Sequence, residues 1–335
     1  MKAIVLRETG GPSKLHLEEF ETPVAGPGEM LIKVHFAAFN RRDVFITHGQ
    51  YPGIVLPVIP GSDGCGVVAA HGPGASGPAV GASVVMNPML GWGDNPRIWN
   101  ADSNLLGMPR HGTFAEYVTL PAENVHPRPA RLSEQQAAAI PLGGLTAYRA
   151  VFTRGGCTKD DVVLLPGIGG GVQTLALLFA KWAGARIIVT SSSDAKLERA
   201  KSLGADVAIN YKTSENWSKD VRAASGGGPT LIVDSVGGET LAKALDIARP
   251  GARVVMYGGT TGDAKIRPFS VFWKQLDVLG TSMGSPADFA AMLRLFAETT
   301  IEPAIDEVVP LTEVPAAAQR VLDGDQFGKV VVTIT

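Results

Sequence analysis

The sequence predicts an α/β protein of two domains, in which a doubly wound parallel sheet interrupts a β-rich domain. Three observations carry that expectation. The first 120 or so residues read as short apolar strands broken by Gly and Pro turns. From about residue 130, strands alternate with helices, the pattern of a parallel sheet covered on both faces. The last stretch, KVVVTIT at 329–335, returns to strand. A length of 335 residues accommodates two cores.

In the first part, KAIVL (2–6), MLIKVHFAAF (30–39), GCGVVAAH (64–71) and TFAEYVTL (113–120) have the β-branched and apolar residues of strands. GPG at 26–28, GPGASGP at 72–78 and NP at 87–88 separate them as turns. Residues 88–112 show no period, and a loop this long in a compact domain is usually functional or mobile. Within it, Trp92 and Trp99 read as local anchors. The second part runs VVLLP (162–166), helix VQTLALLFAKWAG (172–184), RIIVT (186–190), helix DAKLERAKSLG (194–204), VAIN (207–210) and TLIVD (230–234). It continues with helix ETLAKALDIARPG (239–251), ARVVMYG (252–258) and an outermost strand, DVLGTSM (277–283). The expected boundaries are 1–127 with 285–335 for the β-rich domain and 128–284 for the inserted one.

The chain is 45% hydrophobic and 19% charged, which excludes a disordered chain. A net charge of −2 gives no electrostatic footprint for nucleic acid or an acidic membrane. The pair Arg41-Arg42 is too short to make a basic patch. No apolar stretch approaches the roughly 20 residues of a membrane span, and the opening MKAIVLRETGG lacks a signal-peptide core. Two cysteines, Cys65 and Cys157, make no disulfide framework, and Cys65 in its apolar run reads as a buried, inert thiol. These features fit a reducing cytoplasm.

The segment LLPGIGGGVQTLALLFA (164–180) joins a strand to a helix through glycines. Glycine lets backbone N–H groups approach a pyrophosphate held at the positive helix N-terminus. Gly169, Gly170, Gly171 and Val172 are the candidate contacts, although Val172 stands where G-x-G-x-x-G has its last glycine. The next strand ends in Thr190, Ser191, Ser192 and Ser193, with no carboxylate until Asp194, which reads as the cap of the following helix. A carboxylate at that strand end binds a ribose 2′-OH and repels a 2′-phosphate. Hydroxyls with Lys196 accept the phosphate, so the cofactor reads as NADP(H). Two more glycine turns follow strands, DSVGG (234–238) and YGGTTG (257–262), at the strand ends where such sheets bind ligands.

FNRRDVFITHGQYP (39–52), PVIPGSDGCGVV (57–68) and IPLGGLTAYRAV (140–151) together resemble the medium-chain dehydrogenase/reductase family. Its zinc members place Cys, His and usually Cys in these three segments; here Asn40, Ser62 and Leu142 stand there. Zinc takes thiolate, imidazole or carboxylate ligands. The lobe that carries four structural-zinc cysteines in zinc relatives has none at 88–112. The resemblance therefore implies no metal, and a quinone oxidoreductase-like member with a GroES-like catalytic domain and a Rossmann dinucleotide-binding domain. It implies that Tyr211 joins Lys196 at the 2′-phosphate, and that Val236, Gly258, Gly259 and Thr260 contact ribose and nicotinamide. It implies that Lys329 approaches the nicotinamide side, that Asn40, Asp43 and Thr146 lie beside the ring, and that Tyr51 lies over the substrate cleft. It also implies a homodimer joined at the DVLGTSM edges.

Without a metal Lewis acid, the hydride acceptor must already be electron-poor, as quinones and α,β-unsaturated carbonyls are. The protein then needs positioning and a few donors near the developing oxyanion. Asn40, Asp43, Tyr51 and Thr146 are the catalytic candidates. Asp43 has a competing role in fixing local backbone, and Asp63 reads as structural. His48 reads as structural rather than as a proton donor. The expected activity is a zinc-independent, NADPH-dependent reduction of a small quinone or carbonyl substrate. The alternatives are an alcohol or aldehyde dehydrogenase, and a non-catalytic NADPH-binding protein like the lens crystallins that resemble this family.

Overall fold

The computed structural model describes residues 1–335. In chain order, β1 (Lys2–Leu6), β2 (Leu15–Glu19), β3 (Glu29–Ala38), α1 (Arg41–Thr47), β4 (Asp63–His71) and β5 (Ser83–Met86) come first. Three short strands follow: β6 (Met89–Leu90), β7 (Asn104–Leu106) and β8 (Pro109–Arg110). Then come β9 (Tyr117–Pro121), β10 (Val125–Pro127), α2 (Glu134–Ala138) and α3 (Pro141–Tyr148). The alternating part comprises β11 (Val162–Leu165), α4 (Gly171–Trp182), β12 (Arg186–Ser191), α5 (Asp194–Ser202), β13 (Val207–Asn210) and α6 (Trp217–Ala224). It continues through β14 (Leu231–Asp234), α7 (Gly238–Ile247), β15 (Arg253–Met256), α8 (Pro268–Phe272) and β16 (Asp277–Gly280). The chain closes with α9 (Pro286–Glu298), β17 (Ile305–Pro310), α10 (Val314–Asp323) and β18 (Lys329–Thr333).

Two compact units result: unit 1 is Met1–Leu145 with Ser285–Thr335, and unit 2 is Thr146–Gly284. The first junction thus falls inside α3, later than the position near residue 128 that the change of pattern suggested. The reason is packing. α2 lies on β3 and β4, and the Leu142 N–H donates to Asp63 of β4 at 2.6 Å. Helical pattern begins before the chain leaves the β-rich core.

Unit 1 is built on a sheet in the order β10-β5-β4-β3-β18-β17, with β9 also pairing β3. Along β3, Met30, Ile32 and Val34 are fully buried at alternate positions, as a strand with one face on a core requires. They pack with Ile4, Val58, Phe114, Val118 and Val332, and each such side chain contributes roughly 1.5–3 kcal/mol by leaving water. Gly66 is required where β3 and β4 shift register, because a Cβ there would lie 2.0 Å from the Lys33 carbonyl oxygen. The segment 88–112 forms a small sheet in the order β6-β7-β8. Trp92 is buried within it, donates Nε1–H to the Asn95 carbonyl at 2.8 Å and lies 6.4 Å from the Trp99 ring. That is local packing, as the sequence suggests. β9 begins later than Thr113, because Thr113 and Phe114 bond instead to the Gly61 and Pro60 carbonyls.

Unit 2 is a six-stranded parallel sheet in the order β13-β12-β11-β14-β15-β16. Its four central strands are buried on both faces: Val163, Leu164, Ile187, Ile188, Ile232, Val233, Val254 and Val255 have no exposed surface. The order reverses between β11 and β14, which makes the carboxyl ends of those strands the topological switch point. β16 is an edge strand with one side unpaired. Both cysteines are free and buried, and burial pushes each thiol up to about 12. No helix is long and apolar enough to cross a membrane.

Candidate active site

The polar centre of unit 1 follows from strand register. Ala38 at the end of β3 faces Asp63, the first residue of β4, and Val331 of β18. Phe39 and Asn40 just beyond β3 therefore meet Asp63 and Lys329. The Lys329 ammonium donates to the Phe39 carbonyl at 2.6 Å, Asn40 Oδ1 at 2.8 Å and Asp63 Oδ2 at 2.7 Å. Asn40 Nδ2 donates to Asp63 Oδ2 at 2.9 Å, and Asp63 Oδ1 accepts the Leu142 N–H. The ion pair is dry, with side chains 2% and 0% exposed. Only full hydrogen bonding makes such a pair tolerable in a core.

Beside it, α1 begins. Asp43 Oδ2 accepts the Asn40 N–H at 2.8 Å, an acid in the first turn of the helix. Asp43 is buried, its Oδ1 has no partner, and burial pushes its carboxyl up to about 6 against the pull of Arg42. Arg42 Nη1 donates to Ser62 Oγ at 2.5 Å and to the Leu106 carbonyl at 3.0 Å; Nη2 donates to the Met108 carbonyl at 3.3 Å. Ser62 Oγ also donates to the Leu106 carbonyl at 2.8 Å. The guanidinium carbon sits 5.0 Å from the centroid of the Tyr51 ring, a cation–π distance.

Zinc does not fit this centre. Both side-chain atoms of Asn40 are engaged, Ser62 Oγ already accepts from a cation, and Leu142 has only an apolar side chain. No group of three His, Cys, Asp or Glu side chains in the chain could hold a metal. Two buried cations, Arg42 and Lys329, donate to the Ser62 and Asn40 side chains.

In unit 2, the turn after β11 is tied to β12: the Ile168 N–H donates to the Thr190 carbonyl at 2.8 Å and the Gly167 N–H to Thr190 Oγ1 at 3.3 Å. Gly167 and Gly169 have positive φ, 67° and 142°, which favours glycine. Gly170 precedes the twelve-residue α4 with no side-chain cap, and a Cβ on it would meet nothing within 4 Å. N–H groups at Gly171 and Val172 without a capping side chain, at a positive helix end, fit the pyrophosphate of a dinucleotide. At the neighbouring strand ends, Ser191 pairs with Asn210, and the Tyr211 N–H donates to the Ser191 carbonyl at 3.0 Å. Ser192, the half-buried Lys196 in the first turn of α5, and the part-exposed Tyr211 thus share one rim. The Thr260 N–H donates to the Ser235 carbonyl and the Thr261 N–H to the Val236 carbonyl. Those bonds join the turn at Val236 to that at Gly258, Gly259 and Thr260.

Several expectations need correction. Lys329, expected on the nicotinamide side, is found with all three of its ammonium N–H bonds taken inside unit 1. Ser193 caps α5, with Oγ accepting the Lys196 N–H at 3.4 Å, whereas Asp194 accepts from Asn210 Nδ2 at 2.7 Å. His48 is exposed at the end of α1. Thr146 is buried on α3, as the first residue of unit 2. Arg42 is the residue that sequence reasoning passed over. Asp234, buried with Oδ1 unpartnered and its carboxyl raised by burial, and Gln173, bonded to the Val233 carbonyl at 2.9 Å, were also not singled out.

Comparison with known proteins adds the following. Residues 26–130 match the alcohol dehydrogenase GroES-like domain and residues 171–298 the zinc-binding dehydrogenase domain. A zinc-type alcohol dehydrogenase-like protein, YogA, of Leptosphaeria maculans is 35% identical over 96% of this chain and 94% of its own length. A zinc-type alcohol dehydrogenase-like protein of Schizosaccharomyces pombe is 34% identical over 100% and 99%. A crystal structure described as an NAD-dependent alcohol dehydrogenase superposes with a TM-score of 0.93 at 37% identity, covering 100% of both chains.

Proposed function

The chain belongs to the medium-chain dehydrogenase/reductase superfamily, and on that premise we propose that it is a zinc-independent, NADPH-dependent reductase of quinones or α,β-unsaturated carbonyls. The observation that carries this reading is the filled polar centre of unit 1. Where a Lewis acid would polarise a carbonyl, Asn40 is locked by Lys329 and Asp63, and Ser62 by Arg42. An unactivated aldehyde or alkoxide would find no metal to carry its charge. A quinone or enone needs less help, because its reduced form is delocalised.

NADPH supplies the hydride when bound; the chain supplies the rest. The glycine turn and the start of α4 hold the pyrophosphate. Ser191, Ser192, Lys196 and Tyr211 take the 2′-phosphate. Val236, Gly258, Gly259, Thr260 and Thr146 line the ribose and nicotinamide. Tyr51 offers its phenol to the oxyanion and Asn40 fixes the backbone beside it, with water as the proton source. Tyr51→Phe then slows enone reduction more than quinone reduction, within the roughly 10²–10³ limit for one preorganised donor.

The names of the relatives favour a second reading, alcohol oxidation with NAD. One experiment separates the two: consumption of NADPH and NADH with 9,10-phenanthrenequinone, an enal and an enone, against formation of NADH or NADPH from alcohols, each with and without added zinc. Alcohol oxidation that depends on zinc overturns the proposal. No turnover of any acceptor favours a binding protein. We also propose a cytoplasmic homodimer joined at β16, whose free edge lies in a unit that exposes Phe269, Phe272 and Trp273. Light scattering that gives a monomer at micromolar concentration refutes the dimer.

A further inference from the structure

Arg42 is 8% exposed, yet none of the hydrogen bonds described above for its guanidinium goes to a carboxylate. The nearest acid, Asp43, is 3.8 Å away, beyond hydrogen-bond reach. A buried arginine that spends its fork on a serine and two main-chain carbonyls is acting as a tie. Its three partners come from two places: Ser62, just before β4, and positions 106 and 108, at the inner end of the irregular segment. Its remaining face carries the Tyr51 ring at 5.0 Å. One side chain therefore connects α1, the lead into β4, the segment between β7 and β8, and the tyrosine. A planar fork can hold that many directions at once; an ammonium cannot.

We infer that Arg42 is the positioning residue of the acceptor site, fixing the Tyr51 ring against the segment at 106–108 so that the two read the substrate as one surface. This rests on the reading that Tyr51 faces the acceptor. It accounts for Ser62, whose hydroxyl accepts from the guanidinium, while Asn40 is held by Lys329 and Asp63. With no metal to organise this corner, a guanidinium organises it. Specificity for acceptor shape then depends on a residue that touches no substrate.

The test is a double-mutant cycle with a structural readout beside it. On an enone with saturating NADPH, Arg42→Met should lower kcat/KM at least tenfold, mostly in KM, with NADPH affinity within twofold of wild type. The cost of Tyr51→Phe should shrink to less than twofold in the Arg42→Met background, because a loosened ring no longer presents its phenol. Arg42→Lys, which restores a cation under the ring but not the fork, should recover the tyrosine effect in part. In the protein without dinucleotide, hydrogen exchange at 51–56 and 104–110 should quicken together in Arg42→Met and less in Arg42→Lys. Additive costs in the cycle overturn the inference, as does quickened exchange at 104–110 with none around Tyr51. If Arg42→Met does not fold, the same comparison is made with Arg42→Lys, where additivity or unchanged exchange is equally fatal. If the wild type turns over no enone, the proposed function fails, while the exchange result still decides whether Arg42 couples the two segments.

Discussion

At the end of β3, side chains of unit 1 answer one another: Lys329, Asp63 and Asn40 leave no ammonium proton without an acceptor. At the end of β11, unit 2 does the reverse and leaves the first N–H groups of α4 without a capping side chain. The first arrangement is complete in itself and dry. The second lacks a partner until an anion arrives. A closed network carries its charges as a stability risk, since any one deletion strands another charge. An open helix end carries little risk and a large capacity to bind. Substitutions in unit 1 should therefore register first in folding, and substitutions in unit 2 in ligand affinity.

The largest expected effect is in unit 1. Lys329→Met leaves Asp63 buried without a counter-charge, which costs about 3–5 kcal/mol. Urea unfolding measures it, and a loss below about 1 kcal/mol would mean that Asp63 finds other support. Next comes unit 2. Lys196→Ala should weaken NADPH by roughly 1.5–3 kcal/mol, the range of a charge-assisted hydrogen bond. NADH affinity and thermal stability should stay as they were. Equal losses for both dinucleotides by calorimetry would remove Lys196 from the 2′-phosphate.

A third expectation sharpens the comparison through pH. Burial raises the Asp43 carboxyl from its ordinary value of 3.8 to about 6, so the folded state disfavours its ionised form. The penalty is absent below pH 3.8, grows between the two values and is complete above about 6. Asp43→Asn removes it, at the loss of a charged acceptor for the Asn40 N–H. The variant should be more stable than wild type by about 1–2 kcal/mol at pH 7–8, and no more stable near pH 4. Melting curves across that range check the sign; an advantage that grows toward acid would refute it. The smallest expected effect is none at all: chelators should leave activity and melting unchanged, and elemental analysis should find substoichiometric zinc. One tightly held zinc per chain would reopen the reading of Asn40, Ser62 and Leu142.

What could be read from the sequence follows the same division. The four central strands of unit 2 were legible because a strand buried on both faces is an unbroken apolar run, as in VVLLP and RIIVT. Its glycine turn was legible because backbone geometry dictates residue type there. The short helices α6 and α8 were not, since Trp217–Ala224 and Pro268–Phe272 are brief and carry mixed signals. In unit 1 the residues at the ligand positions could be named, but not what fills them. Lys329 was expected on the nicotinamide side and Arg42 was passed over, because burial of a long charged side chain depends on partners from distant segments. Lys329 and Asp63 are 266 positions apart. The cap of α5 went to Ser193 rather than Asp194 because both residues suit that position, and only the local backbone decides between them.

The placement of β18 has a consequence for the order in which the chain can fold. β18 lies beside β3 at the centre of the unit 1 sheet and brings Lys329 with it. In synthesis, residues 146–284 are complete well before β18 appears, and they form one contiguous unit. Unit 2 can therefore close on the ribosome while unit 1 waits, its β3 already paired with β4 and β9 but lacking a partner at Phe36–Ala38, and its Asp63 lacking a cation. During that interval the open flank of β3 is an unpaired strand edge in a growing chain. The last strand to emerge both covers that edge and neutralises the core.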